Sequence, residues 1–496
     1  MNLLLFLLLV PVIAIVLIAI GRVPARKTAL WAAGLNFATA LWLLRKFWVE
    51  VPPGTSQFVE VFRLQDPWIQ LKGFFTIQFH LGIDGISLPL VLLTTVVTLA
   101  AVAVSPADIK RAREFYCYLL MISLGALGAF LSLDLFFLYI FHEFALIPTF
   151  LLIGIWGGQN RRLAGTQITL YLTLGSLILL AGILALVLSM PGEVRTFDLP
   201  QIQAYLLKNP LTDLEGKTIY PMLLMGFGIL ISLFPFHTWA PAGYAAAPPA
   251  AVMLHAGVLK KFGLYGLLRV ALPLFPGAAE VWEPILTVLL LGNILYVGLV
   301  ALAQKDLLSL LGFSSVMHMG YLFLGLVAWN GLGVSGVILL MVGHGLSAAL
   351  LFALAGEIRQ RTGETRLAEL GGLAQKAPFL AIAFVIASLA SVGLPGLANF
   401  SGEILIFFGA WKGHPWATAL ALWGVVISSV YTLRAVRAVL FGDLPAKFAQ
   451  VADIGTWRER APYVLLITAS LVIGFAPQPF LKFIQPCVAA LLKGAY

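Results

Sequence analysis

Apolar runs of about 20 residues, each long enough to cross a hydrocarbon core of ~30 Å as a helix, recur almost without pause from Asn2 to the C-terminus. A chain in that solvent must satisfy its backbone hydrogen bonds internally, so helices or a closed barrel are the only spanning solutions, and runs this long read as helices. Composition agrees: of 496 residues, 60% are hydrophobic and 11% charged, with mean hydropathy +0.98. The chain reads as an all-α polytopic membrane protein with no room for a soluble domain.

Proline, glycine and charge clusters divide it into about fourteen spans, near 2–20, 28–48, 84–105, 113–133, 135–156, 165–190, 219–239, 249–272, 281–303, 307–329, 332–358, 377–411, 416–441 and 460–485. The organisation expected is residues 1–105 for the first three helices, 113–272 for helices four to eight, 281–441 for nine to thirteen, and 460–496 for the last. The first run has no basic residue before it and no small-residue cleavage site after it, so it reads as a retained helix. Placing both termini outside gathers Arg22, Arg26, Lys27, Arg161, Arg162, Arg359 and most other cations on inner loops. The outer cations, Lys72 and Arg269 among them, are fewer, and several lie in the long segments 49–83 and 191–218, where charge counts for less. Outer termini in a bacterial inner membrane are therefore expected, with an organellar or thylakoid membrane as the alternative.

Two spans carry an internal break at comparable places, Phe234-Pro235-Phe236-His237 in the seventh and Gly393-Leu394-Pro395-Gly396 in the twelfth. Proline removes a backbone hydrogen bond and frees carbonyls that need water, a side chain or an ion. Broken helices in corresponding halves point to an inverted-repeat transporter with its pathway near the midplane. A plain kink relieved by neighbouring helices is the competing reading.

Four charges lie well inside apolar spans: Glu143, Lys260, Lys261 and Glu403. Each costs about 2.5–3.5 kcal/mol at a helix centre on the insertion scale, so each must face protein or water. Glu143 lies about 13 Å beyond Asp134 along a helix, too deep for so short a side chain to reach the interface. Lys260 and Lys261 are adjacent, about 100° apart on a helix, so one of them is expected to line a path. A desolvated ammonium releases its proton more readily than one in water, which a relay requires. Glu403 follows the second break, where unwound backbone can admit water, and reads as an exit gate. His318 and His344, in spans ten and eleven, can receive and pass a proton as neutral imidazoles and could bridge the lysines to Glu403. His237 and His255 are further candidates. The competing reading of all these groups is structural: a hydrogen-bonded carboxyl, lysines paired with carboxylates to hold helices together, histidines buried in the core.

Cys117 and Cys487 lack metal-type spacing. Nucleophile elbows, P-loops, CxxC pairs, HExxH and a GxGxxG after a strand are absent from the sequence, so covalent catalysis has no visible site and any redox cofactor belongs to a partner. The formal net charge of +9 is scattered through short loops without interleaved aromatics, which argues against nucleic acid and leaves topology as its explanation.

Taken together, the segments His80 to Ser87, Phe141 to Pro148, Phe236-His237-Thr238-Trp239, Ser314 to Gly320, His344 to Ala349 and Gly393 to Glu403 resemble the antiporter-like subunits of respiratory complex I, of the M (subunit 4) type. The resemblance covers essentially the whole chain. It implies two inverted five-helix repeats with broken helices seven and twelve, and proton translocation driven by quinone reduction elsewhere in a complex. It implies no cofactor in this chain, with NADH, FMN, iron–sulfur clusters and quinone in partner subunits. The partners implied are the L- and N-type membrane subunits, the hydrophilic arm and the lipid bilayer. By position, Glu143 matches the fifth-helix glutamate that couples to neighbours, Lys261 the central lysine of helix eight, and His318 and His344 the linking histidines. Glu403 matches the twelfth-helix glutamate that ends the proton path where the L and N types have lysine.

Helix seven departs from the pattern. The family's usual lysine falls on Leu230, and its Pro-Asp-Ala-His motif is Pro241-Ala242-Gly243-Tyr244. Glu143 thereby loses its usual cation, for which Lys260, extra to the pattern, could substitute. A subunit of a multi-subunit Na+/H+ antiporter or membrane-bound hydrogenase is the alternative within transport. Leu230 supports a further alternative, a structural spacer that does not pump.

Overall fold

A computed structural model describes residues 2–52, 62–71 and 73–493. Met1, Lys72 and residues 53–61 of the first expected segment, and residues 494–496 of the last, lie outside the described residues. Helices stand where the apolar runs place them: α1 (Leu3–Ile20), α2 (Ala25–Glu50), α3 (Ser87–Val104), α4 (Ala112–Leu131), α5 (Leu135–Trp156) and α6 (Arg161–Leu188). After a short α7 (Leu199–Lys208) come α8 (Asp213–Ile231), α9 (Trp239–Ala246), α10 (Pro249–Leu274), α11 (Pro276–Ala303), α12 (Leu307–Ala328) and α13 (Gly331–Thr362). The chain ends with α14 (Pro378–Val392), α15 (Ala398–Trp411), α16 (Pro415–Leu440), α17 (Trp457–Phe475) and α18 (Gln478–Leu492).

Among the described residues, 11 of these helices are long and apolar enough to span a membrane alone. The other three expected spans each have a visible reason for falling short. Charged residues at both ends of α2 dilute it, the twelfth span is split into α14 and α15, and α17 turns into α18 through a 68° bend. Lipid as solvent decides which helices are central. The spans of α10 and α13 are buried throughout and that of α12 is 94% buried, whereas those of α1, α5, α11 and α16 are 39% buried. The perimeter presents Trp31, Leu163, Leu170, Val288, Trp416 and Trp423 outward, at no cost where the solvent is itself apolar. Close approach in the core relies on small residues: a Cβ on Gly402 of α15 would sit 2.6 Å from the Leu340 backbone nitrogen of α13.

Two elements outside the spans were not anticipated. The segment before α3 forms an antiparallel hairpin, β1 (Leu64–Leu71) and β2 (Phe75–Leu81), and α7 lies in the other long loop. They are tied together by a Thr76–Thr196 bridge and a fully buried His80–Asp198 pair. The hairpin also holds the N-cap of α5, Asp134, which accepts from Gln78 N at 3.0 Å and from Phe136 N in the first helical turn at 2.9 Å. The His80 to Ser87 motif is thus structural. Asp84 accepts from Ile86 N and Ser87 N at 3.0 and 2.9 Å and pairs with Arg269 of α10. Arg269, counted from sequence among the outer cations, is instead 1% exposed, because Asp84 supplies its countercharge inside the protein.

Both expected breaks are present. α8 ends at Ser232, whose φ is 72°, and α9 resumes at Trp239; α14 ends at Gly393, φ 82°, and α15 begins at Ala398. The backbone freed at the first break is met by Asn293 of α11, which accepts from Phe234 N at 2.7 Å and donates to Ser232 O at 3.0 Å and Val316 O at 3.1 Å. Asn293 sits in a π-helical turn, Gly292–Tyr296, and α10 contains two more, His255–Leu259 and Leu267–Ala271. Single π turns inside α-helices commonly mark functional positions.

Candidate functional site

The π turn His255–Leu259 immediately precedes the two lysines, and both are fully buried. Lys261 Nζ donates to Ala256 O at 2.6 Å and to His344 Nδ1 of α13 at 2.9 Å. The rings of His344 and His318 lie 5.8 Å apart. His318, on α12, faces two backbone carbonyls, Ser314 O at 2.8 Å from Nδ1 and Ser391 O at 2.9 Å from Nε2. A neutral imidazole can donate to only one of them and an imidazolium to both, so this position can hold an extra proton without losing a hydrogen bond.

Ser391 is in the last turn of α14, beside the second break. Asn399 Nδ2 donates to the same carbonyl at 3.3 Å, and Asn399 Oδ1 accepts from Ser347 Oγ at 3.2 Å. One turn further along α15, the buried Glu403 folds back over the break. Its carboxyl carbon lies 3.2 Å from where a Cβ on Gly393 would be, and Oε2 lies closer still. Glu403 Oε1 is buried without a hydrogen-bond partner. Lys261, His344, His318, Asn399 and Glu403 thus form one buried polar line from α10 to the second broken helix.

Lys260 takes the other direction. Its Nζ is 3.4 Å from Ser315 Oγ and 5.4 Å from the centre of the Tyr244 ring, and Tyr244 Oη is 3.1 Å from His255 Nδ1. The adjacent lysines therefore point in two directions, as their angular separation requires. The remaining candidates stand apart. His237, in the first break, stacks on Phe234 at 5.6 Å and meets the edge of Tyr296. Glu143 lies on the rim of α5 with its side chain 32% exposed, touching Ser176 Oγ and His142. Lys260 is directed at Ser315 and Tyr244 rather than at Glu143, and Leu230 is buried in the apolar core.

Sequence reasoning missed His142, Ser315, Tyr321 and Asn399. Tyr321 packs against His318 at 5.7 Å, with its hydroxyl buried and without a hydrogen-bond partner. The signal available was polarity inside an apolar span, which needs an internal partner. Ser315, Tyr321 and Asn399 carry no charge to draw notice in such a span, and His142 is overshadowed by the carboxylate of Glu143 beside it. Among the described residues, no group of three or more His, Cys, Asp or Glu could hold a metal ion.

Residues 132–429 match the family described as NADH:quinone oxidoreductase/Mrp antiporter, TM. The chain is 35% identical to NADH-quinone oxidoreductase subunit M of Rickettsia bellii, covering 94% of this chain and 91% of that one. It is also 35% identical to subunit M of Rhodobacter capsulatus, over 95% and 90%. Among solved structures it is similar to a chain of respiratory complex I from Thermus thermophilus, with TM-score 0.89, 30% identity and full coverage of both chains. A chain of the Mrp complex from Dietzia sp., 21% identical with TM-score 0.84 over 99% and 97% of the two chains, shares the fold. The chain therefore belongs to the NADH:quinone oxidoreductase/Mrp antiporter transmembrane family and, within it, to the subunit M family of NADH-quinone oxidoreductase.

Proposed function

We propose that this chain translocates protons as a membrane subunit of an NADH:quinone oxidoreductase, driven by quinone reduction in partner subunits. The observation that carries the reading is the buried line Lys261–His344–His318–Asn399–Glu403, whose last member closes on a broken helix. A proton released by Lys261 moves to His344 and then to His318, which holds it between two carbonyls. Water admitted at the break passes it on to Glu403. Lys260, with Ser315, Tyr244 and His255, forms the second branch into the same centre.

Residues 113–272 and 281–441 act as the two repeats, each contributing one broken helix. Partners are the L- and N-type antiporter-like subunits and the hydrophilic arm, where NADH, FMN, iron–sulfur clusters and quinone reside. The chain lies in a bacterial inner membrane with both termini on the outer face. In the assembled complex reconstituted in liposomes, Glu403→Gln lowers the number of protons moved per NADH oxidised. An unchanged ratio would refute the reading in favour of the spacer that Leu230 suggests.

A further inference from the structure

We infer that His142 is the proton-exchanging partner of Glu143, filling the place that a lysine or arginine would take. The inference rests on the transport reading above and extends it to the rim of the first repeat. The Glu143 carboxylate meets Ser176 Oγ and His142 Nδ1, the latter at 3.5 Å, and has no lysine or arginine within ion-pair distance among the described residues. The two neighbours differ in solvent access, His142 being 3% exposed and Glu143 32%.

On its open side Glu143 borders a cavity of about 120 Å³ that Thr149, Thr169 and Thr173 help to line. That is room for several waters with hydroxyls to hold them. On the sealed side the His142 ring lies flat on Phe262, centroids 4.0 Å apart and planes 18° apart, and Phe262 directly follows Lys261 on α10. His142 Nδ1 has no hydrogen bond of full geometry, and neither has His255 Nε2 deeper in the same region. Two buried imidazole nitrogens left without partners are costly in a static core and useful in a relay.

The step balances without a co-reactant. Glu143 takes an excess proton from hydronium in the cavity, leaving water; its O–H bond then breaks as an N–H bond forms on His142. A neutral pair becomes an ion pair of zero net charge, which avoids burying an isolated ion. His142→Phe keeps the ring over Phe262 and removes the exchange.

In the full complex, His142→Phe should lose as much proton translocation per NADH as Glu143→Gln, and the double variant should lose no more than either. Infrared difference spectra of the purified complex should show the carboxyl band that Glu143→Gln deletes shifted in His142→Phe. A core filler would leave that band in place. Native pumping in His142→Phe alongside impaired pumping in Glu403→Gln would overturn the inference, as would additive losses or an unshifted band. If Glu403→Gln pumps normally, the transport reading fails, and the infrared band still decides the pairing. Should His142→Phe fail to assemble, His142→Gln is measured in its place.

Discussion

Replacing Gly393 by alanine tests whether Glu403 must lie over the second break. Gly393 has φ 82°, and an L-residue in that left-handed region costs about 1–2 kcal/mol. The new Cβ would also stand 3.2 Å from the Glu403 carboxyl carbon and well inside contact distance of Oε2. Turning the carboxylate about 30° off its rotamer to clear it adds ~0.5–1.5 kcal/mol. The sum, roughly 1.5–3.5 kcal/mol, lowers occupancy of the native break, with residue 393 left-handed and Glu403 over it, roughly 10- to 300-fold at about 1.4 kcal/mol per decade.

Only the steric part depends on the length of residue 403. Glu403→Asp is one methylene shorter and clears the alanine, so Gly393→Ala should cost less in that background. The difference is about 0.5–1.5 kcal/mol, read as a roughly 2- to 12-fold smaller penalty in pumping rate. The assay is NADH-driven acidification of liposomes containing the reconstituted complex, normalised to NADH oxidised. Equal penalties in the two backgrounds, or native pumping by an assembled Gly393→Ala complex, would refute the geometry.

Asn293→Leu strips partners from Phe234 N, Ser232 O and Val316 O, at about 1–3 kcal/mol for each buried group left unsatisfied. A markedly lower Tm of the purified complex is expected, and an unchanged Tm would show that the first break does not depend on this side chain. Asp84→Asn removes a carboxylate that pairs with the buried Arg269, which is destabilising because a buried ion pair loses one of its charges, and should reduce assembled complex on a native gel. Adding Arg269→Met should recover part of that loss.

The legible part of this protein is the part that obeys a local rule. Runs of apolar residues mark the spans, and a charge such as Lys261 or Glu403 inside a run must find an internal partner. Proline marks both breaks, with glycine beside it in the second. Motif order brought the same residues to a family. The hairpin 64–81 and α7 escaped because they lie outside the lipid, where no single-solvent pattern constrains them. His80–Asp198 and Asp84–Arg269 escaped because their partners are 118 and 185 positions apart.

Sequence alone determined that the chain lives in a membrane, roughly how often it crosses, and which ionisable groups are stranded within it, because bilayer thickness and charge solvation act on each segment independently. The tertiary structure decided which of those groups meet. The π turn before Lys260 and Lys261, the close contact of α15 with α13, and the left-handed turn at Gly393 set the rotation and depth of each side chain. Those quantities depend on how helices pack against one another, and that is why Glu143 stands apart beside His142 while Lys261 and Glu403 share one line.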